Sequence, residues 1–139
     1  MAGTKLVWQG EMSFDVELQG HHFMVDADES VGGKDRGPRP KALLLSALGG
    51  CTGMDVVAIL GKMQMPYTRF ELDVQGETGT EHPKVYTEVK VVYSFWGEEL
   101  NLEKIEKAVS LSQEKYCGVA ATLKLAGTVD YEIRLNPES

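Results

Sequence analysis

Pro40-Lys41-Ala42-Leu43-Leu44-Leu45-Ser46-Ala47-Leu48-Gly49-Gly50-Cys51-Thr52-Gly53-Met54-Asp55-Val56-Val57-Ala58-Ile59-Leu60 is the stretch on which the fold turns. Proline suits the first turn of a helix. The apolar residues that follow leave almost no polar face, and a helix apolar all round is buried in a core or packed between subunits. The pattern predicts a helix from Pro40 to about Gln64, stopping before Pro66. One small domain is too little to bury such a helix on every side, which points to an oligomer. Gly49, Gly50 and Gly53 interrupt the run. Each helical glycine costs about 0.8–1 kcal/mol relative to alanine, so three together imply close approach of another backbone or of a substrate. Cys51 sits among them.

Outward from this helix the chain alternates. Lys5 to Trp8, Phe14 to Leu18 and His22 to Asp26 read as an antiparallel meander, with turns at Gln9–Ser13 and Gln19-Gly20. Asp28 to Arg39 has no apolar period and reads as a loop long enough to carry function or motion. Beyond the helix, Arg69 to Gly76 and Lys84 to Phe95 alternate as a second hairpin with one wet face. Asn101 caps an amphipathic helix with apolar residues at Leu102, Ile105 and Val109. Cys117 falls at its end or at the start of a short successor helix, and Thr128 to Leu135 is a last strand. The order is that of an α+β domain spanning residues 1–139, with antiparallel sheets laid against a long buried helix.

Composition narrows the function. A hydrophobic fraction of 42% and a charged fraction of 25% exclude disorder. A net charge of −7 and scattered basic residues exclude phosphate-driven nucleic-acid binding. The N-terminus lacks the basic start and apolar core of a signal peptide, and Asp55 interrupts the apolar run, which argues against a membrane span. A cytoplasmic location is expected, where a lasting structural disulfide is unusual. The chain's two cysteines, Cys51 and Cys117, are then either inert buried thiols or a transient redox pair.

The two cysteine contexts, Leu45-Ser46-Ala47-Leu48-Gly49-Gly50-Cys51 in a Pro40-started helix and Glu114-Lys115-Tyr116-Cys117 before a small-residue stretch and final strand, resemble those of the OsmC/Ohr family of small peroxide-handling proteins. The element order agrees over nearly the whole chain. The resemblance implies an intertwined homodimer with active sites at the subunit interface. It implies that Cys51 attacks a hydroperoxide and that Cys117 resolves it as an intramolecular disulfide, later reopened by an external dithiol. It also implies an arginine from the N-terminal strand region and a glutamate near the start of the long helix. The turns at Gln9–Ser13 and Gln19-Gly20 hold no arginine, and Lys41 stands where the glutamate would. The chain is therefore closer to a less characterised OsmC-like branch than to the organic hydroperoxide resistance enzymes.

A thiolate attacks an O–O bond far better than a thiol, so a cation beside Cys51 is expected. Arg36, Arg39 and Lys41, in or beside the glycine-rich loop, are the candidates, with Arg36 or Arg39 folding over Cys51. Asp55 lies one turn from Cys51 on the same helical face and reads as an acid satisfied by a loop or partner-subunit donor. Glu114 reads as a surface residue, and Lys115 and Tyr116 as cleft-lining or core. His21, His22 and His82 form no ligand pattern, and neither Cys-x-x-Cys nor His-Glu-x-x-His occurs, so neither metal nor cofactor is expected. Gly32-Gly33-Lys34 lacks the context of a phosphate loop. Two functions remain: a Cys51/Cys117 thiol peroxidase acting on small organic hydroperoxides, and a non-catalytic member of the fold binding a small hydrophobic ligand at a dimer interface.

Overall fold

In the computed structural model, which describes residues 1–138, the alternating segments are strands at nearly the expected limits. The chain forms two compact units, Met1–Leu44 and the part from Leu45 onward.

The first unit is the meander of β1 (Lys5–Trp8), β2 (Phe14–Leu18) and β3 (His21–Val25), antiparallel throughout. Gln19 and Gly20 both take positive φ (52° and 82°), the two-residue hairpin turn whose twist suits the flanking strands. The loop after β3 is tied down by one carboxylate. Asp26, 3% exposed, accepts backbone N–H groups from Ala27 (2.7 Å), Lys34 (3.2 Å) and Arg36 (3.1 Å). Burial opposes ionisation of this carboxyl, but the three N–H donors and the Arg36 charge outweigh it and hold its pKa below the usual range. Arg36 donates to Ser13 Oγ and to Glu11, each at 3.4 Å. Arg39 donates to Asp35 (2.8 Å) and to the Gly37 carbonyl (2.9 Å), with Asp28 at 3.5 Å. Both arginines expected at Cys51 are thus engaged by groups of their own unit.

Pro40–Ala42 forms a single 3₁₀ turn that leads into α1 (Leu43–Lys62). In the second unit α1 lies against β4 (Arg69–Thr78), β5 (Tyr86–Trp96), α2 (Leu102–Leu111), α3 (Gly118–Lys124) and β6 (Thr128–Leu135). Leu48, Val56 and Leu60 of α1 meet Val89, Val91, Tyr93 and Phe95 of β5 and Ile105, Ala108 and Val109 of α2 in one apolar core. Two of the three helical glycines are explained here. A Cβ on Gly49 would stand 3.1 Å from Val74 Cγ2, and one on Gly53 would stand 3.0 Å from Leu72 Cδ1. The stripe Gly49–Gly53 is what lets the helix approach β4 so closely; Gly50 faces open space.

The α+β class stands, with one correction to the expected antiparallel sheets. β4 and β5 are antiparallel, but β6 runs parallel to β5, from Glu88↔Thr128 to Phe95↔Leu135. The reason is the connection: α2 and α3 carry the chain back to the starting end of β5, and such a helical crossover delivers a parallel neighbour.

The buried central helix is buried on one side. Leu48, Gly49, Thr52, Gly53, Val56 and Leu60 are covered, whereas Met54 is 76% exposed and Val57 47%. By length and composition Pro40–Lys62 is long and apolar enough to cross a membrane. Its one carboxylate, Asp55, is spoken for within the protein, as described next.

Candidate active site

Cys51 and Asp55 project from adjacent turns of α1, at the i and i+4 positions of one face. Cys117 comes from the junction between α2 and α3. After α2 the chain does not enter α3 directly but passes through a π-helical turn, Ser112–Tyr116, closed by the Cys117 N–H donating to the Ser112 carbonyl at 2.8 Å. Such turns often mark functional sites. Cys117 then caps α3, its sulfur accepting the Ala120 N–H at 3.3 Å. The outcome is that Cys51 Sγ, Cys117 Sγ and an Asp55 carboxylate oxygen all lie within 4.8 Å of one another.

The two sulfurs are not equivalent. Cys117 is 3% exposed, whereas Cys51 is half-buried. Burial, and after it the neighbouring Cys51 sulfur, push the Cys117 thiol up to about 11, against the opposing pull of the Ala120 N–H. Cys117 is therefore a thiol at neutral pH.

Asp55 accepts from Ser112 Oγ at 2.9 Å, so its carboxylate is satisfied from within the chain. This bond orients a whole buried chain of hydroxyls. Ser112 spends its single proton on Asp55 and must accept from Thr52 Oγ1 at 2.7 Å. Thr52 in turn accepts from the Tyr93 hydroxyl at 2.6 Å, and Tyr93 accepts from Gln113 Nε2 at 2.6 Å. Ser112 and Thr52 are fully buried and Gln113 nearly so. Burial, first, raises the Tyr93 phenol above its ordinary pKa, keeping it a donor. At the far end Gln113 Oε1 is buried without a hydrogen-bond partner among the described residues.

Sequence reasoning singled out Cys51, Asp55 and Cys117, which the structure brings together, but missed Thr52, Tyr93, Ser112 and Gln113. A signal was there: Thr52 stands between helical glycines, and Tyr93 lies in the apolar run Val91-Val92-Tyr93-Ser94-Phe95. Polar atoms in such places need partners. Tyr93→Phe is expected to destabilise the protein by about 1–3 kcal/mol, because Gln113 and Thr52 each lose a buried partner. Urea unfolding checks this, and a change below a few tenths would show that the chain is not stressed by its loss.

Glu114 takes its expected place at the surface, its carboxylate 3.7 Å from Lys124. Tyr116, half-exposed, carries the Lys115 ammonium 5.2 Å from its ring centroid.

The chain belongs to the OsmC-like proteins: the family model for OsmC-like protein matches residues 32–132. Protein YhfA of Escherichia coli (strain K12) is 33% identical over 133 residues, covering 94% of this chain and 96% of that protein. A crystal structure of a hypothetical protein from Aquifex aeolicus VF5 superposes with a TM-score of 0.83 at 27% identity, covering 99% of this chain and 98% of that one. An organic hydroperoxide resistance protein OsmC from Legionella pneumophila, described as a predicted redox protein, shares the fold at a TM-score of 0.69 and 14% identity, covering 99% and 97% of the two chains. The YhfA relationship fits a less characterised branch of the family.

Proposed function

We propose that the protein is a thiol-dependent peroxidase that reduces small organic hydroperoxides through Cys51 and Cys117, working as a cytoplasmic homodimer with an external dithiol as reductant. The observation that carries this reading is the pairing of a half-buried sulfur with a buried one inside 4.8 Å. Cys51 is the sulfur a peroxide can meet. Its thiolate attacks the distal peroxide oxygen, which stays on sulfur with its hydrogen as the sulfenic acid; the O–O bond breaks, and the alkoxide takes a proton from water to leave as the alcohol. Cys117 then displaces water from that sulfenic acid, forming the disulfide. Two electrons and two protons from the external dithiol restore both thiols. The relation to a protein named for organic hydroperoxide resistance supports the substrate class.

Treatment of the reduced protein with a stoichiometric organic hydroperoxide, followed by non-reducing peptide mapping, is expected to give the Cys51–Cys117 disulfide without accumulation of sulfinic acid. Closure to an S–S bond of about 2.05 Å requires the pair to draw together. Mapping that finds free thiols, or Cys51 oxidised alone, overturns the resolving role.

A second reading has its own observation: an open apolar groove of about 420 Å³ lined by Gly50, Gly53, Met54, Val57, Phe70 and Leu72, suited to a small hydrophobic ligand with no chemistry. Unreacted thiols in the same mapping would put that reading in front.

The uncovered side of α1 supports the dimer, since Met54 and Val57 are large, apolar and exposed on one stripe. Light scattering is expected to give twice the chain mass, and Met54→Glu to shift it to monomer at micromolar concentration. A monomeric parent would refute the interface.

A further inference from the structure

Two thiols and a carboxylate converging on one point are a metal-ligand set as well as a redox pair. From the meeting of Cys51 Sγ, Cys117 Sγ and an Asp55 oxygen within 4.8 Å, we infer that the reduced protein binds one zinc-class divalent cation through these three residues. Sequence motifs do not reveal the site, because α1 supplies two ligands one turn apart and the third comes from the cap of α3.

The geometry suits the ion. Tetrahedral zinc, with Zn–S of about 2.3 Å, holds its two sulfurs about 3.8 Å apart. The cluster reaches that spacing by contracting about 1 Å or less. Two sulfur ligands select zinc and other thiophilic ions over magnesium or calcium. Three protein ligands leave one position for water, the pattern of an open rather than a closed zinc site. The half-buried Cys51 side gives the ion its way in.

The surroundings supply what a bare trio would lack. Metal-bound carboxylates are held by outer hydrogen bonds. Asp55 has such a bond from Ser112, itself fixed by Thr52, Tyr93 and Gln113 in sequence. One carboxylate oxygen is thus pinned by a buried donor. The charge balances too: both sulfurs bind as thiolates, and their two negative charges match the two positive charges of the cation. Because metal and disulfide need the same two sulfurs, the loaded chain cannot form the disulfide and the oxidised chain cannot hold the metal. The inference stands whether or not the pair turns over peroxides.

The test is anaerobic titration of the reduced, full-length protein with Co(II), followed by displacement with Zn(II). Expected are one ion per chain, sulfur-to-cobalt charge-transfer absorption in the near ultraviolet, and tetrahedral visible bands. Calorimetry in buffers of different ionisation enthalpy is expected to show net proton release on zinc binding, because the ligating sulfurs must be deprotonated. Cys51→Ser and Cys117→Ser should each weaken zinc binding by about tenfold or more and diminish the charge-transfer band; Asp55→Asn should weaken binding while keeping that band. A measurement without variants guards against misfolding: one equivalent of zinc should suppress alkylation of Cys51 in the parent protein. No uptake, uptake unchanged in the double cysteine variant, or alkylation unaffected by zinc would each overturn the site.

Discussion

Cys51→Ser is expected to abolish hydroperoxide consumption, a fall of about 10³-fold or more in turnover. A serine hydroxyl stays protonated at neutral pH and does not displace an alkoxide from a peroxide. Cys117→Ser should behave differently. Its Cys51 can still take one oxidation per chain, giving a sulfenic acid that dimedone traps, but with no second sulfur it cannot pass to the disulfide. Excess peroxide then drives it on to sulfinic acid, a step that ordinary dithiols do not reverse. The pair of variants separates the two roles, since both lose steady turnover and only the second retains a single oxidation. Steady-state assays with an organic hydroperoxide and a dithiol, with intact-mass analysis after one addition, make the measurement. Residual turnover of Cys51→Ser within tenfold of the parent would remove Cys51 from the chemistry.

The asymmetry behind those roles rests on burial, which a sequence states poorly. Cys51 and Cys117 look alike in the primary structure, each among small apolar residues. What separates them is where each stands, Cys51 on a face of α1 and Cys117 at the cap between the π turn and α3. Cys51 stands at the edge of the buried stripe Leu48–Thr52–Val56 of α1, whereas Cys117 is carried inward by the π turn and caps α3, its sulfur accepting the Ala120 N–H. Local periodicity did give the strands, the Asn101 cap, whose side chain accepts the Lys104 N–H at 3.1 Å, and the proline start of the central helix, because each is decided within a few residues. The parallel course of β6 was not legible, for it depends on where α2 and α3 return the chain. Nor was the hydroxyl chain from Gln113 to Asp55, whose members come from α1, β5 and the π turn and acquire meaning only when packed together. Arg36 and Arg39 show how little charge alone says about a contact. Their charge suggested a partner for Cys51, but Glu11, Ser13, Asp35 and Asp28 already engage them, and any role at the sulfur would mean giving up those contacts.

Phe95→Ala is expected to be the most damaging substitution to stability, at about 3–5 kcal/mol. Phe95 is fully buried in the central strand of its sheet. Its ring stacks on Phe70 at 4.2 Å between centroids and 7° between planes, and Tyr67 meets it edge-on at 5.6 Å. Phe70 is its cross-strand partner on β4, so the stacked pair ties the central strand to that edge of the sheet. Truncation removes the transfer energy of a phenyl group and leaves a cavity that a three-stranded sheet cannot close without losing register. Because whole domains are stable by only about 5–15 kcal/mol, a large share would go. Guanidinium unfolding should show a lower midpoint with an unchanged slope. Leu18→Ala, at a position 41% exposed, should stay within about 0.5 kcal/mol of the parent and serve as the contrast. A loss below 1 kcal/mol for Phe95→Ala would mean that the aromatic stack is dispensable and that the sheet is held by its backbone ladder and the helices packed on it.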